Sequence, residues 1–128
     1  MLGPLENFRV LIIEDDSIVV DIIEETLKSF FNSKTHKASC GKEAMALFEK
    51  YASDTSCVIL DYGIPDMHAS RILSALRETN SNAKVILASG YPKHFVKRDF
   101  PLESIDSFLA KPFSPRKLAL EVERLINK

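Results

Sequence analysis

No hydrophobic run in this chain persists for more than a few residues, far short of the roughly 20 that a membrane-spanning helix needs. A dominant charge is missing too. Lys and Arg number 17 against 18 Asp and Glu, a net of −1, so no strong field draws the chain to nucleic acid or anionic lipid, and direct DNA binding is disfavoured. Cysteine is scarce: Cys40 and Cys57 are the two present, too few for the disulfide framework of a secreted miniature domain and not placed as a close-spaced metal-ligand pair. Both are expected as free thiols. There is no low-complexity tract, no long linker and no apolar core of a signal peptide near the start, which points to a cytoplasmic setting. Residues 1–7, with Gly3 and Pro4, read as a leader, and residues 8–128 as one domain.

What is present is an ordinary globular composition, 45% hydrophobic and 27% charged over 128 residues. A chain of this length removes roughly two-thirds of its unfolded surface from water as a single domain. From residue 8 onward, strand and helix patterns alternate five times. Residues 8–13 are apolar enough for a strand buried on both faces. Ser17 is placed to cap a helix in which Val19, Ile23, Thr26, Leu27 and Phe30 recur at helical spacing. A weaker strand at 35–39 leads through Cys40-Gly41 to a helix over 42–51 with Ala44, Leu47, Phe48 and Tyr51 on one face. Strands at 57–60, 84–88 and 107–110 follow. The intervening helices carry Ala69, Ile72, Leu73 and Leu76 inward in the first case and span 92–98 in the second. A last helix starts near Ser114, with Pro115 at its first position, where the missing N–H costs nothing; Leu118, Val122, Leu125 and Ile126 form its stripe. Right-handed strand–helix–strand crossovers of this kind give a doubly wound α/β sandwich, a five-stranded parallel sheet with helices on both sides.

Four of the apolar runs end at a polar residue: Glu14 and Asp15 after the first, then Asp61, Ser89 and Lys111. The C-terminal ends of parallel strands line one edge of the sheet, where open α/β folds hold their ligands. Glu14 and Asp15, with Asp16 behind them, suit a hard divalent ion such as Mg²⁺, or else form an acidic helix N-terminus stabilised by the dipole. Asp61 is a candidate nucleophile, since a carboxylate can attack phosphorus when a cation screens the charge; alone it would read as a turn aspartate. Ser89, before Gly90, can donate to a phosphoryl oxygen or cap a helix. Gly90 would allow close backbone approach. Lys111, ahead of Pro112, can reach the crevice or lie in solvent.

With these residues in these places, the chain resembles the receiver domain of bacterial two-component response regulators over residues 8–127. The resemblance implies a flavodoxin-like sheet of order 2-1-3-4-5. It makes Asp61 the phosphoacceptor, Asp15 a direct Mg²⁺ (or Mn²⁺) ligand, Glu14 a ligand through water and the Gly63 carbonyl a further contact. Ser89 and Lys111 would hold the phosphoryl group, and Phe108 matches the aromatic switch position. A histidine kinase or histidine phosphotransfer protein would be the donor, and the face of the fourth helix, fifth strand and fifth helix the output, in a monomer or a phosphorylation-dependent dimer. Two departures stand out. His68-Ala69 replaces the usual Asp-Gly ahead of the third helix, leaving no residue that easily takes positive φ; and Gly63 with Tyr91 occupies the positions that tune phosphoryl lifetime. His36, His68 and His94 read as surface residues, Met45 and Met67 as packing, and Lys93, His94, Lys97 and Arg98 as a basic patch on the fourth helix. An aspartate-nucleophile phosphohydrolase would want a second acid where Gly63 stands. A flavin binder would find Glu14 and Asp15 repelling its phosphate, and a degenerate receiver acting only as an interaction module would not need these residue types.

Overall fold

The computed structural model describes residues 6–127, and the expected leader lies outside them except for Glu6 and Asn7, which extend the first strand. Five parallel strands, β1 (Glu6–Ile13), β2 (Asn32–Ala38), β3 (Cys57–Asp61), β4 (Lys84–Ser89) and β5 (Ser107–Ala110), are ordered β2-β1-β3-β4-β5. The helices are α1 (Ser17–Phe30), α2 (Gly41–Tyr51), α3 (Ala69–Thr79), α4 (Lys93–Val96) and α5 (Pro115–Ile126). Strand alternation sorts the core into two halves. Leu11, Ile13, Val58, Leu60, Val85 and Leu87 face α2 and α3, with Val96 of α4 and Phe100 beyond it. Val10, Ile12, Cys57, Ile59 and Ile86 face the other way, toward Val20, Ile23 and Leu27 of α1 and Leu118, Val122 and Leu125 of α5. Each fully buried Ile or Leu of these sets contributes about 1.5–3 kcal/mol relative to exposure, and none of the central strands has a polar face to spend on solvent.

Several local expectations are corrected. β2 begins at Asn32 rather than 35; as an edge strand of half-exposed polar residues it shows little hydrophobic pattern from which to place its start. The cap of α1 is Asp16, whose carboxylate accepts from the Ile18 N–H, and Ser17 is already helical. The buried stripe of α1 is therefore Val20, Ile23, Thr26 and Leu27, while Phe30 is exposed. The fourth helix is a single turn ending at Val96, so Lys97 and Arg98 lie past it. His36 is not a free surface residue: its ring stacks on Tyr51 at 3.8 Å, and its Nε2 meets an Arg9 guanidinium nitrogen at 3.0 Å.

Other expectations hold. Ser114 caps α5 through the Lys117 N–H with Pro115 directly after it, and the α3 stripe is Ala69, Ile72, Leu73 and Leu76. Both cysteines are free, and burial pushes the Cys57 thiol up to about 12, leaving it inert. Among the described residues, no helix is long and apolar enough to cross a membrane.

The His68-Ala69 departure has a structural answer. His68 adopts φ −64°, ψ 140° and caps α3, its Nδ1 accepting from the Ser70 N–H. No positive φ is required, and Ala69 enters the core as the first residue of α3.

Candidate functional site

The strand ends do converge. Ile13 pairs with Leu60 and Asp61 with Ala88, so the residues leaving β1 and β3 emerge side by side at the carboxyl edge of the sheet. Tyr62 and Lys111 continue that alignment through backbone bonds from their N–H groups to the Ala88 and Ser89 carbonyls, at 2.9 and 2.8 Å. Glu14, Asp15 and Asp61 each offer a carboxylate oxygen within 4.8 Å of the others. Glu14 is 2% exposed and Asp61 5%, while Asp15 stands open. The Lys111 ammonium lies between the two buried acids, 2.7 Å from Glu14 Oε1 and 3.0 Å from Asp61 Oδ1.

Two buried carboxylates so close would repel strongly in a low-dielectric surround; the lysine offsets part of that. Burial, helped by the charge of Asp61 and opposed by Lys111, pushes the Glu14 carboxyl up to about 7. Burial works against the Lys111 ammonium as well, but its hydrogen bonds to Glu14 and Asp61 outweigh that and raise the amine above its ordinary value. The second Glu14 oxygen accepts from the Asp16 N–H at 3.2 Å. Three acids against one ammonium leave room for further positive charge, and an all-oxygen set is the chemistry that Mg²⁺ or Mn²⁺ prefers. A cleft of about 330 Å³ bounded by Asp21, Lys37 and Glu43 gives access to Glu14 and Asp15 from one side.

Ser89 is 1% exposed, and its hydroxyl is occupied by Tyr91, accepting from that residue's N–H at 2.8 Å and donating to its carbonyl at 2.9 Å. It caps no helix; Pro92 precedes α4. Gly90 makes no close approach, since a Cβ there would meet nothing within 4 Å. At Gly63 a Cβ would stand 3.8 Å from Asp61 Oδ2, so this residue lies over the Asp61 carboxylate. Phe108 is half-buried against the core, with the Lys93 ammonium 5.6 Å from its ring centroid. The Lys111-Pro112 peptide is cis. His94 is exposed, and Met45 and Met67 pack against the core.

Residues with no local signal in the sequence complete the surroundings. Asp66, in the loop after β3, accepts from the N–H groups of Gly41 and Lys42 at 2.7 and 3.1 Å and so caps α2 from 24 residues or more away. Asp99, past α4, meets Tyr62 and His68. Composition and periodicity are blind to such pairings, which depend on where distant loops come to rest.

Residues 10–123 match the family model of the response regulator receiver domain. The sensor kinase CckA of Brucella abortus (strain 2308) is 32% identical over 119 residues, which is 93% of this chain but 12% of that kinase. Among solved structures, a CheY-like response regulator receiver domain protein from Methanospirillum hungatei JF-1 superposes with a TM-score of 0.84 at 23% identity, covering 95% of each chain, a likeness of fold. The CheX-CheY-BeF3-Mg²⁺ complex from Borrelia burgdorferi contains a chain with a TM-score of 0.83 and 27% identity, covering 96% of this chain and 92% of that one.

Proposed function

This chain belongs to the response regulator receiver domains, the signalling modules of two-component systems, and on that footing we propose that Asp61 is its phosphoacceptor, charged by the phosphohistidine of a histidine kinase or histidine phosphotransfer protein. The observation that carries the reading is the Lys111 ammonium bridging Glu14 and Asp61 at 2.7 and 3.0 Å, with Asp15 beside them. An Asp61 oxygen forms a bond to phosphorus as the phosphorus–nitrogen bond to the donor imidazole breaks, and the electron pair leaves with that ring. Asp15 directly, Glu14 through water, Asp61 and the Gly63 carbonyl would hold Mg²⁺ or Mn²⁺, which supplies neutralisation of phosphoryl charge. The chain's own contribution is position and electrostatics.

Lys111 then exchanges its carboxylate partners for a phosphoryl oxygen. Ser89 must give up the Tyr91 backbone to reach the same group, and Tyr91 and α4 move with it. Phe108, half-buried beside Lys93, turns inward in this reading, and phosphorylation biases the α4-β5-α5 face. The unit is residues 8–128, acting as a module within a phosphorelay in the cytoplasm, as monomer or phosphorylation-dependent dimer, and loaded once per donor rather than turning over substrate.

Incubation with acetyl phosphate and MgCl₂, followed by intact mass, tests this. The parent should gain one phosphoryl group and Asp61→Asn none. Labelling of Asp61→Asn overturns the assignment. Multiple turnover of phosphate monoesters by the parent would favour a phosphohydrolase, and no Mg²⁺-dependent labelling a degenerate receiver.

A further inference from the structure

The loop joining β3 to α3 is tied at both ends by one carboxylate. Asp99 Oδ1 accepts from the Tyr62 hydroxyl at 2.5 Å, and Asp99 Oδ2 lies 3.2 Å from His68 Nε2. Because His68 Nδ1 already accepts from the Ser70 N–H, the neutral ring carries its proton on Nε2, the tautomer that donates to Asp99. Tyr62 directly follows Asp61, His68 caps α3, and Gly63 lies between them. Asp99 is itself an exposed side chain on a fixed base: Val96 is fully buried and Phe100 is 3% exposed on either side of it. The Tyr62 ring is held edge-on by His68, Tyr91 and Phe100 at 5.9, 6.1 and 6.5 Å. Asp66 pins the same loop to the start of α2. The shared hydrogen bonds keep the Asp99 carboxyl below its usual range and contribute, after burial, to a Tyr62 hydroxyl raised to about 12.

We propose that Asp99 is a positioning residue for divalent-cation binding: by joining Tyr62 to His68 it closes the loop that carries Gly63 and holds that backbone in place before a cation arrives. The inference rests on the reading of the Gly63 carbonyl as a cation ligand. Glycine has more backbone freedom to lose than any other residue, and a ligand ordered in advance binds more tightly than one that must be ordered on binding. Contacts that hold metal ligands in place are worth roughly tenfold or more in affinity. Asp99 touches neither the cation nor the phosphoryl group, so its effect falls on the cation's dissociation constant and not on transfer at saturating cation.

The test is a MgCl₂ titration of the full chain without phosphodonor, followed by NMR amide shifts, for the parent, Asp99→Ala, Tyr62→Phe and the double variant. Asp99→Ala should weaken Mg²⁺ roughly tenfold. Tyr62→Phe, which keeps the ring and removes one hydroxyl, should weaken it in the same direction, and the double variant should be no worse than Asp99→Ala, because both act through one bond. The Mg²⁺ concentration giving half-maximal labelling by acetyl phosphate should move by the same factor while the saturating rate stays at the parent value; a merely structural role would not split the two. If Asp99→Ala fails to fold, Tyr62→Phe carries the test. Undiminished Mg²⁺ affinity in the folded variants, or a lowered saturating rate at unchanged affinity, overturns the inference alone. Absence of Mg²⁺ binding by the parent overturns the reading of the site, and the inference with it.

Discussion

Replacing Glu14 by glutamine should make the cation-free protein more stable, and by an amount that depends on pH. The carboxyl is raised from 4.5 to about 7, so the folded chain keeps its proton over a range in which the unfolded chain has lost it. Folding therefore takes up a proton between about pH 4.5 and 7, and stability falls as pH rises through that window. At about 1.4 kcal/mol per pH unit, the contribution of Glu14 declines by roughly 3 kcal/mol, a large part of the ~5–15 kcal/mol that holds a domain together. The amide of the Glu14→Gln variant has no such proton to lose. Urea unfolding in EDTA should show the variant's advantage over the parent growing by about 3 kcal/mol from pH 5 to pH 8, or about 1–3 M in midpoint for ordinary urea slopes. MgCl₂ should restore the parent at pH 8 and do less for the variant. Two stability curves that run parallel from pH 5 to pH 8 would refute the argument, because they would mean that the buried carboxyl titrates alike in both states.

Two further outcomes follow from the same geometry. Gly41→Ala would bring a Cβ to 2.5 Å from Met67 Cβ and 3.2 Å from Asp66 Oδ1; despite the better helix former, a loss of about 1–3 kcal/mol is expected in urea unfolding, with weaker Mg²⁺ binding because the loop after β3 is pushed away. His36 should titrate below 6.5, since burial and then the Arg9 charge beside it disfavour its cation. The unfolded chain binds that proton first, so stability from this residue is present above about 6.5 and lost as pH falls through it. His36→Gln should flatten that acid limb, and an imidazole NMR titration of the parent with its midpoint at or above 6.5 would count against the argument.

Much of this molecule was legible as pattern. The runs at Val58, Ile59 and Leu60 and at Val85, Ile86 and Leu87 are too apolar for a strand with a wet face, so they announced central parallel strands, and the parallel connection in turn set the handedness of the crossovers. Ser114-Pro115 marked the start of α5 by chemistry confined to neighbouring residues. The polar residues that end those runs could be named as a cluster because a parallel sheet delivers all its strand ends to one edge. β2 was legible only in part, since its edge position demands little apolar character, and α4 was drawn too long because nothing local announces a helix that stops after one turn.

The sequence by itself determined the layered α/β architecture and the residue types at the carboxyl edge, since burial on two faces and strand alternation are properties of a residue and its near neighbours. Tertiary structure alone decided that Lys111 lies between Glu14 and Asp61, that Asp66 caps a helix it does not belong to, and that Asp99 ties Tyr62 to His68. Each of these depends on distances of a few ångströms between segments tens of residues apart, and hydrogen bonds and ion pairs weaken steeply with such distances and angles.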